Sequence, residues 1–188
     1  MNNTDEQFSK TEEQFRNVMA ECRSLFAKKL HDYGASWRIL RPVSLTDQLF
    51  IKAKRIRSLE TTGTSLVGEG IRPEFIALIN YGIIGLIQLE KGYADTVDMT
   101  PDQALNLYDE HAKKCLELML RKNHDYNEAW RDMRVSSYTD FILTKIQRVK
   151  EIENLNGSTL VSEGIDANYM DINYACFGAI KMLENKEL

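Results

Sequence analysis

No stretch of the 188 residues approaches the roughly 18 unbroken apolar positions that a helix needs to cross a bilayer. Nor does any segment alternate apolar and polar residues convincingly, so strands are not expected. Cysteine is scarce. Cys22, Cys115 and Cys176 make no Cys-x-x-Cys spacing, and the three histidines offer no His-x-x-x-His, which leaves no zinc motif. A basic excess is missing too: 24 Lys and Arg face 28 Asp and Glu, a net charge of −4. That balance argues against general nucleic-acid binding, which needs an uncompensated basic face, but leaves room for a small basic pocket. The segment Met1 to Glu6 is polar and acidic, unlike a secretion signal. With an odd number of thiols, the expectation is a reduced, cytoplasmic protein whose Cys22 and Cys115 pack on apolar helix faces.

In bulk, 43% hydrophobic and 28% charged residues describe an ordinary globular chain. The informative feature is a duplication. His31-Asp32-Tyr33-Gly34-Ala35-Ser36-Trp37-Arg38 returns 93 residues later as His124-Asp125-Tyr126-Asn127-Glu128-Ala129-Trp130-Arg131. Residues 22–60 and 115–153 share 15 identities in 39 positions, and after a one-residue slip 63–71 matches 157–165 at six of nine. A repeat sets the fold before any other signal. Polar residues kept in both copies survived their divergence, where a merely solvated face would have drifted.

Each copy reads as three helices. The first spans about 6–30, and its partner runs from a capping box at Thr100, Pro101 and Gln103 to about 123. The His-Asp-Tyr motif then falls on the turn after the helix, stopped by Gly34 or by Asn127, which tolerates the same left-handed backbone. Ser44 and Ser137 are expected to cap the second helices, with Asp47 and Asp140 three residues on. The third helices span about 73–90 and 167–184, and residues 91–100 link the copies. The expected fold is all-α: a six-helix bundle of two three-helix repeats, 1–92 and 93–188, related by a pseudo-twofold axis. The apolar third helices would lie at its centre. Two quasi-equivalent clefts follow, each lined by both halves.

The retained set is unusually polar. Lys52 and Arg55, like Lys145 and Arg148, stand three apart on one helix face. With Arg38, Arg41, Arg131 and Arg134 they give each copy three Arg and one Lys suited to phosphate. The alternative is a salt-bridge network with Asp47, Glu60 and Glu69. Tyr33, Trp37, Tyr126 and Trp130 suit stacking on a base, or packing. His31 beside Asp32, and His124 beside Asp125, suit acid–base work, or a helix-end cap. In the second copy Glu163, Asp166 and Asp171 cluster around the start of the third helix. They are candidate Mg²⁺ ligands, or ordinary helix-start acids. The first copy has Glu69, Arg72 and Ala77 instead.

Lys-x-His-Asp-Tyr-x-x-x-Trp, the basic second helix, and Glu-Gly-Ile followed by Asp171-x-Asn173-Tyr174 before an apolar helix resemble the nucleotide-modification-associated domain of bacteria and phages. The resemblance covers about 15–90 and 108–184. That domain is distantly similar to the all-α MazG-like nucleotide pyrophosphohydrolases. The likeness implies a MazG-like bundle and Mg²⁺ held by a Glu-x-x-Glu pair on one helix and Glu-x-x-Asp on the next. In this chain Lys52-x-x-Arg55 and Lys145-x-x-Arg148 stand where the first acidic pair is implied. Only Glu163, Asp166 and Asp171 match in part. The expected ligand is therefore a nucleotide-type small molecule, its phosphates on the basic residues and its base or sugar on the tyrosines. If hydrolysis occurs, Asp125, Glu163 and Asp171 are the catalytic candidates, using Mg²⁺ to activate water. The rival expectation is a non-catalytic helical bundle serving protein assembly, with a further homodimer open.

Overall fold

The computed structural model describes residues 3–66, 68–171 and 173–185. Met1, Asn2, Val67 of the repeated Leu-Val-x-Glu-Gly-Ile run and Ile172 of the expected last helix lie outside the described residues. All regular structure among them is helical: α1 (Asn3–Tyr33), α2 (Pro42–Thr62), α3 (Arg72–Lys91), α4 (Pro101–Tyr126), α5 (Val135–Asn154), α6 (Ile165–Met170) and α7 (Asn173–Glu184). Short 3-10 turns, Ser36–Ile39 and Ala129–Asp132, follow α1 and α4. No helix among the described residues is long and apolar enough to cross a membrane.

In α1 the buried Phe15, Val18, Cys22, Phe26 and Leu30 recur every three or four residues, the stripe a helix must turn inward. Gly34 ends it at φ +61°, its N–H bonding Leu30 O at 2.9 Å. The expected capping box opens α4: Thr100 Oγ1 accepts from Gln103 N–H at 3.3 Å, and Gln103 Oε1 from Thr100 N–H at 2.9 Å. Its end needs two non-glycine residues in left-handed backbone, Asn127 and Glu128. Burial pushes the Glu128 carboxyl up, but hydrogen bonds from Thr11, Arg131 and Asn123 more than offset this and hold it below the usual range.

Two boundaries differ from expectation. The His-Asp-Tyr motifs form the last turns of α1 and α4, not the loops after them. The second helices begin three residues early, with Arg41 and Arg134 at the N-cap and no side-chain cap. Ser44 and Ser137 thus lie inside the first turn, their N–H groups bonded to the Arg41 and Arg134 carbonyls at 3.0 Å. In α2 the start is fixed by Pro42, whose ring suits N1 and brings no N–H to satisfy.

At the centre is α3, packed against α1, α2, α4, α6 and α7. Its counterpart is broken. The second copy is one residue shorter between Asp171 and Asn173 than between Ala77 and Asn80, and the expected continuous helix divides into α6 and α7 there. Contacts between the copies come in reciprocal pairs, as at an isologous interface. Thr46 donates to Glu153 at 2.7 Å and Thr139 to Glu60 at 2.8 Å. Lys150 meets Asp47 at 3.0 Å and Arg57 meets Asp140 at 3.7 Å. The Phe75 ring lies on Gly178, and the Tyr169 ring on Gly85.

Burial raises the Glu60 and Glu153 carboxyls above the ordinary range despite the threonine hydrogen bonds. A carboxyl raised on folding contributes its stability in the protonated form and loses it as pH rises through the folded value. Changing both to glutamine is expected to raise the melting temperature at pH 7. The advantage should close once the pH falls below the ordinary carboxylate range, as a melting series from pH 3 to 8 would read out.

The candidate clefts and their basic rims

Each copy folds the end of its first helix and the following 3-10 turn back against its own third helix, leaving a cleft. The first, of about 260 Å³, is lined by Lys29, Tyr33, Trp37, Asn80 and Tyr81 with apolar neighbours. The second, of about 200 Å³, is lined by the repeat equivalents Lys122, Tyr126, Trp130, Asn173 and Tyr174, and also by Asp171. The expectation that both halves line each cleft is corrected: all lining residues come from a single copy, because the connections within a copy are short. The retained asparagine fixes the cleft floor. Asn80 Nδ2 donates to Cys22 O at 3.2 Å, and Asn173 Nδ2 to Cys115 O at 2.9 Å, tying third helix to first.

Tyr33 and Tyr126 are 68% and 70% exposed, at the cleft rims. Trp37 and Trp130 are buried, giving the clefts an indole edge while packing on Phe26 and Phe177; Trp130 stacks on Phe177 at 4.5 Å. His31 and Asp32 pair at 3.0 Å, and His124 and Asp125 at 3.2 Å, on open surface outside both sets of lining residues. As last-turn residues, these histidines match the helix-end reading.

The basic residues are the main correction. Arg38 is buried and points away from ligand space: its guanidinium bonds Asp98 at 2.8 and 3.2 Å, Gln88 Oε1, and Gly92 O at 2.5 Å. Arg131 bonds Glu128 at 2.6 Å, Glu184 at 3.0 Å, Thr11 at 2.6 Å and Gln14 at 2.8 Å, with its guanidinium 4.3 Å above the Trp130 ring. Both brace the turn rather than offer phosphate donors. Lys52 and Arg55 converge on the buried Glu74, Lys52 at 3.2 Å, and Arg55 also reaches Glu69 at 3.8 Å. Arg41 and Arg134 are exposed at the starts of α2 and α5, outside the clefts.

In the second copy Arg148 meets Glu163 at 3.2 Å, while Lys145 bridges Glu163 at 3.4 Å and Asp171 at 2.7 Å. Lys122 holds the other Asp171 oxygen at 2.5 Å. Burial pushes the Asp171 carboxyl up, but these lysine hydrogen bonds and charges outweigh it, so the group sits below the usual range. Asp166 is exposed. A lysine ammonium thus stands between the carboxylates proposed for Mg²⁺. Among the described residues, no group of three or more His, Cys, Asp or Glu gathers to hold a metal. The donor set does not fit a protein-bound Mg²⁺, which wants oxygen ligands free of competing cations.

Two features of the clefts escaped the sequence nomination: Lys29 with Lys122, and the Asn-Tyr pairs 80–81 and 173–174. Their identity in both copies was the available signal. The three free cysteines are buried, and burial pushes the Cys115 thiol up to about 12, in line with packing rather than redox chemistry.

No curated protein and no solved structure matches the chain. A family model, nucleotide modification associated domain 1, matches twice, over residues 29–89 and 122–182. Each match begins at the cleft lysine and runs through the Asn-Tyr pair. The chain therefore belongs to the nucleotide modification associated domain 1 family and carries that domain as a tandem duplication.

Proposed function

We propose that the protein binds a nucleotide or nucleoside phosphate at a cleft beside its His-Asp-Tyr motif, in a role accessory to nucleotide modification. The observation that carries this reading is the repetition of the same surround, Lys, Tyr, Trp, Asn and Tyr, in two copies that differ at most of their aligned positions. An exposed tyrosine beside an indole edge offers a face and an edge to a base or ribose. A lysine one turn earlier on the helix supplies a mobile positive charge for phosphate. Volumes of 200 and 260 Å³ suit part of a nucleotide, with the remainder lying over the rim. Binding is favoured over pyrophosphate release, because Asp171 and Glu163 are tied to Lys122, Lys145 and Arg148.

Thermal-shift titration with nucleoside mono- and triphosphates, each with and without Mg²⁺, tests the reading. A ligand at a hundred times its Kd adds about 2.7 kcal/mol, which raises Tm by roughly 5–11 °C for a chain of this size. Tyr33→Ala should reduce the shift without lowering the unliganded Tm. Absence of stabilisation by every nucleotide would leave the second reading, a non-catalytic assembly bundle. That reading is favoured by one observation: Arg38, Arg131, Arg55 and Arg148 all end in ion pairs with the chain's own carboxylates.

A further inference from the structure

The two copies serve as comparison structures for each other, and they differ at one seat. In the second cleft the Asp171 carboxylate lies between two lysines, Lys122 at 2.5 Å and Lys145 at 2.7 Å. In the first cleft the corresponding position, one turn before the Asn-Tyr pair, is Ala77, and no acidic residue lines the cleft. The first copy places its acid one turn earlier, at Glu74, where it is buried against Lys52 and Arg55. Its counterpart in the second copy is Asn168. Lys29, the equivalent of Lys122, is exposed at the cleft wall, and its ammonium group has no ion pair or hydrogen bond among the described residues.

We infer that the clefts are unequal: the first takes the anionic group of a ligand on Lys29, whereas in the second Asp171 already occupies the equivalent lysine, Lys122. This deepens the nucleotide reading above and rests on it. The carboxylate is the chain's own stand-in for a ligand oxyanion, held by the same lysine on the same wall. An external phosphate entering the second cleft would have to displace a carboxylate already bonded to two ammonium groups. At the first it meets one uncommitted ammonium beside Tyr33 and Tyr81, and a charge-assisted contact of that kind supplies roughly tenfold in affinity.

The test is the number of sites. Isothermal titration with deoxynucleoside triphosphates, and with inorganic pyrophosphate as the base-free probe, should find one site per wild-type chain. Ala77→Asp, which installs the missing carboxylate, should abolish that site, and Lys29→Ala, at an exposed position, should weaken it at least tenfold. Asp171→Asn, which keeps the side-chain shape, should expose a second site. Circular dichroism and melting confirm that each variant folds. Two wild-type sites, or a site indifferent to both Ala77→Asp and Lys29→Ala, or no second site in Asp171→Asn, would overturn the inequality and leave nucleotide binding standing. Failure of the wild-type chain to bind any probe would overturn both.

Discussion

Arg38→Ala is expected to destabilise the protein by about 3 kcal/mol and to lower Tm by roughly 6–12 °C, while leaving nucleotide affinity unchanged. The guanidinium is 3% exposed and serves a closed circuit. It donates to Gln88 Oε1, and the Gln88 amide donates to the carbonyls of Trp37, Arg38 and Leu40 at 3.2, 3.1 and 2.9 Å. Removing it orphans the buried Gln88 oxygen, a loss that costs about 1–3 kcal/mol, whereas the carbonyl of the exposed Gly92 can turn to water. Asp98 contributes little, because it is half exposed and hydrates readily. A phosphate-binding arginine would behave oppositely, with affinity falling and Tm holding. Melting and titration of the same variant therefore separate the two roles.

Phe75→Ala is expected to cost about 3–5 kcal/mol, the usual loss for a fully buried phenylalanine. Phe75 fills the groove above Gly178 just as Tyr169 fills the groove above Gly85. A Cβ at Gly178 would lie 2.9 Å from the Phe75 ring, and one at Gly85 would lie 2.8 Å from Tyr169. Gly178→Ala gains about 1 kcal/mol of helix propensity but forces overlap typically worth about 1–3 kcal/mol, so a net loss is expected. In the double variant the added methyl partly refills the space left by the ring, and the combined loss should be smaller than the sum. Urea denaturation of the two single variants and the double completes the cycle. Strict additivity would mean that ring and glycine are not in contact.

The fold was legible where the signal is local or repeated. The Thr100–Gln103 capping box and the Phe15-to-Leu30 stripe depend on neighbours within a few turns, and the duplication marked both sets of helices. The break between α6 and α7 was foreshadowed by the one-residue difference before Asn173, though not its effect on the helix. The early helix starts were obscured because Ser44 and Ser137 suit an N-cap by type, while the turns before them decide where the helix begins.

The site was less legible, for a physical reason. Retention of Arg38 and Arg131 signals a constraint but not which one, and their partners lie far along the chain: Asp98 for Arg38, Thr11 and Glu184 for Arg131. Helical spacing correctly put Lys52 beside Arg55 and Lys145 beside Arg148. It left ligand and ion-pair readings side by side, and could not single out Glu74, Glu163 and Asp171 as the main partners. The acidic group around Asp171 looked like a metal site because spacing counts carboxylates along one helix and misses lysines arriving from α4 and α5.

Retained side chains divide into braces and a cleft surround, and the proposed reading puts the nucleotide in the cleft beside Trp37. Each cleft holds one of the chain's two tryptophans, so the indole N–H signals of a ¹⁵N-labelled sample report the clefts separately. Titration with a deoxynucleoside triphosphate should shift the Trp37 indole signal together with the Tyr33 and Lys29 amides, leaving Trp130 in place. Both indole signals unmoved at saturating nucleotide would contradict the account.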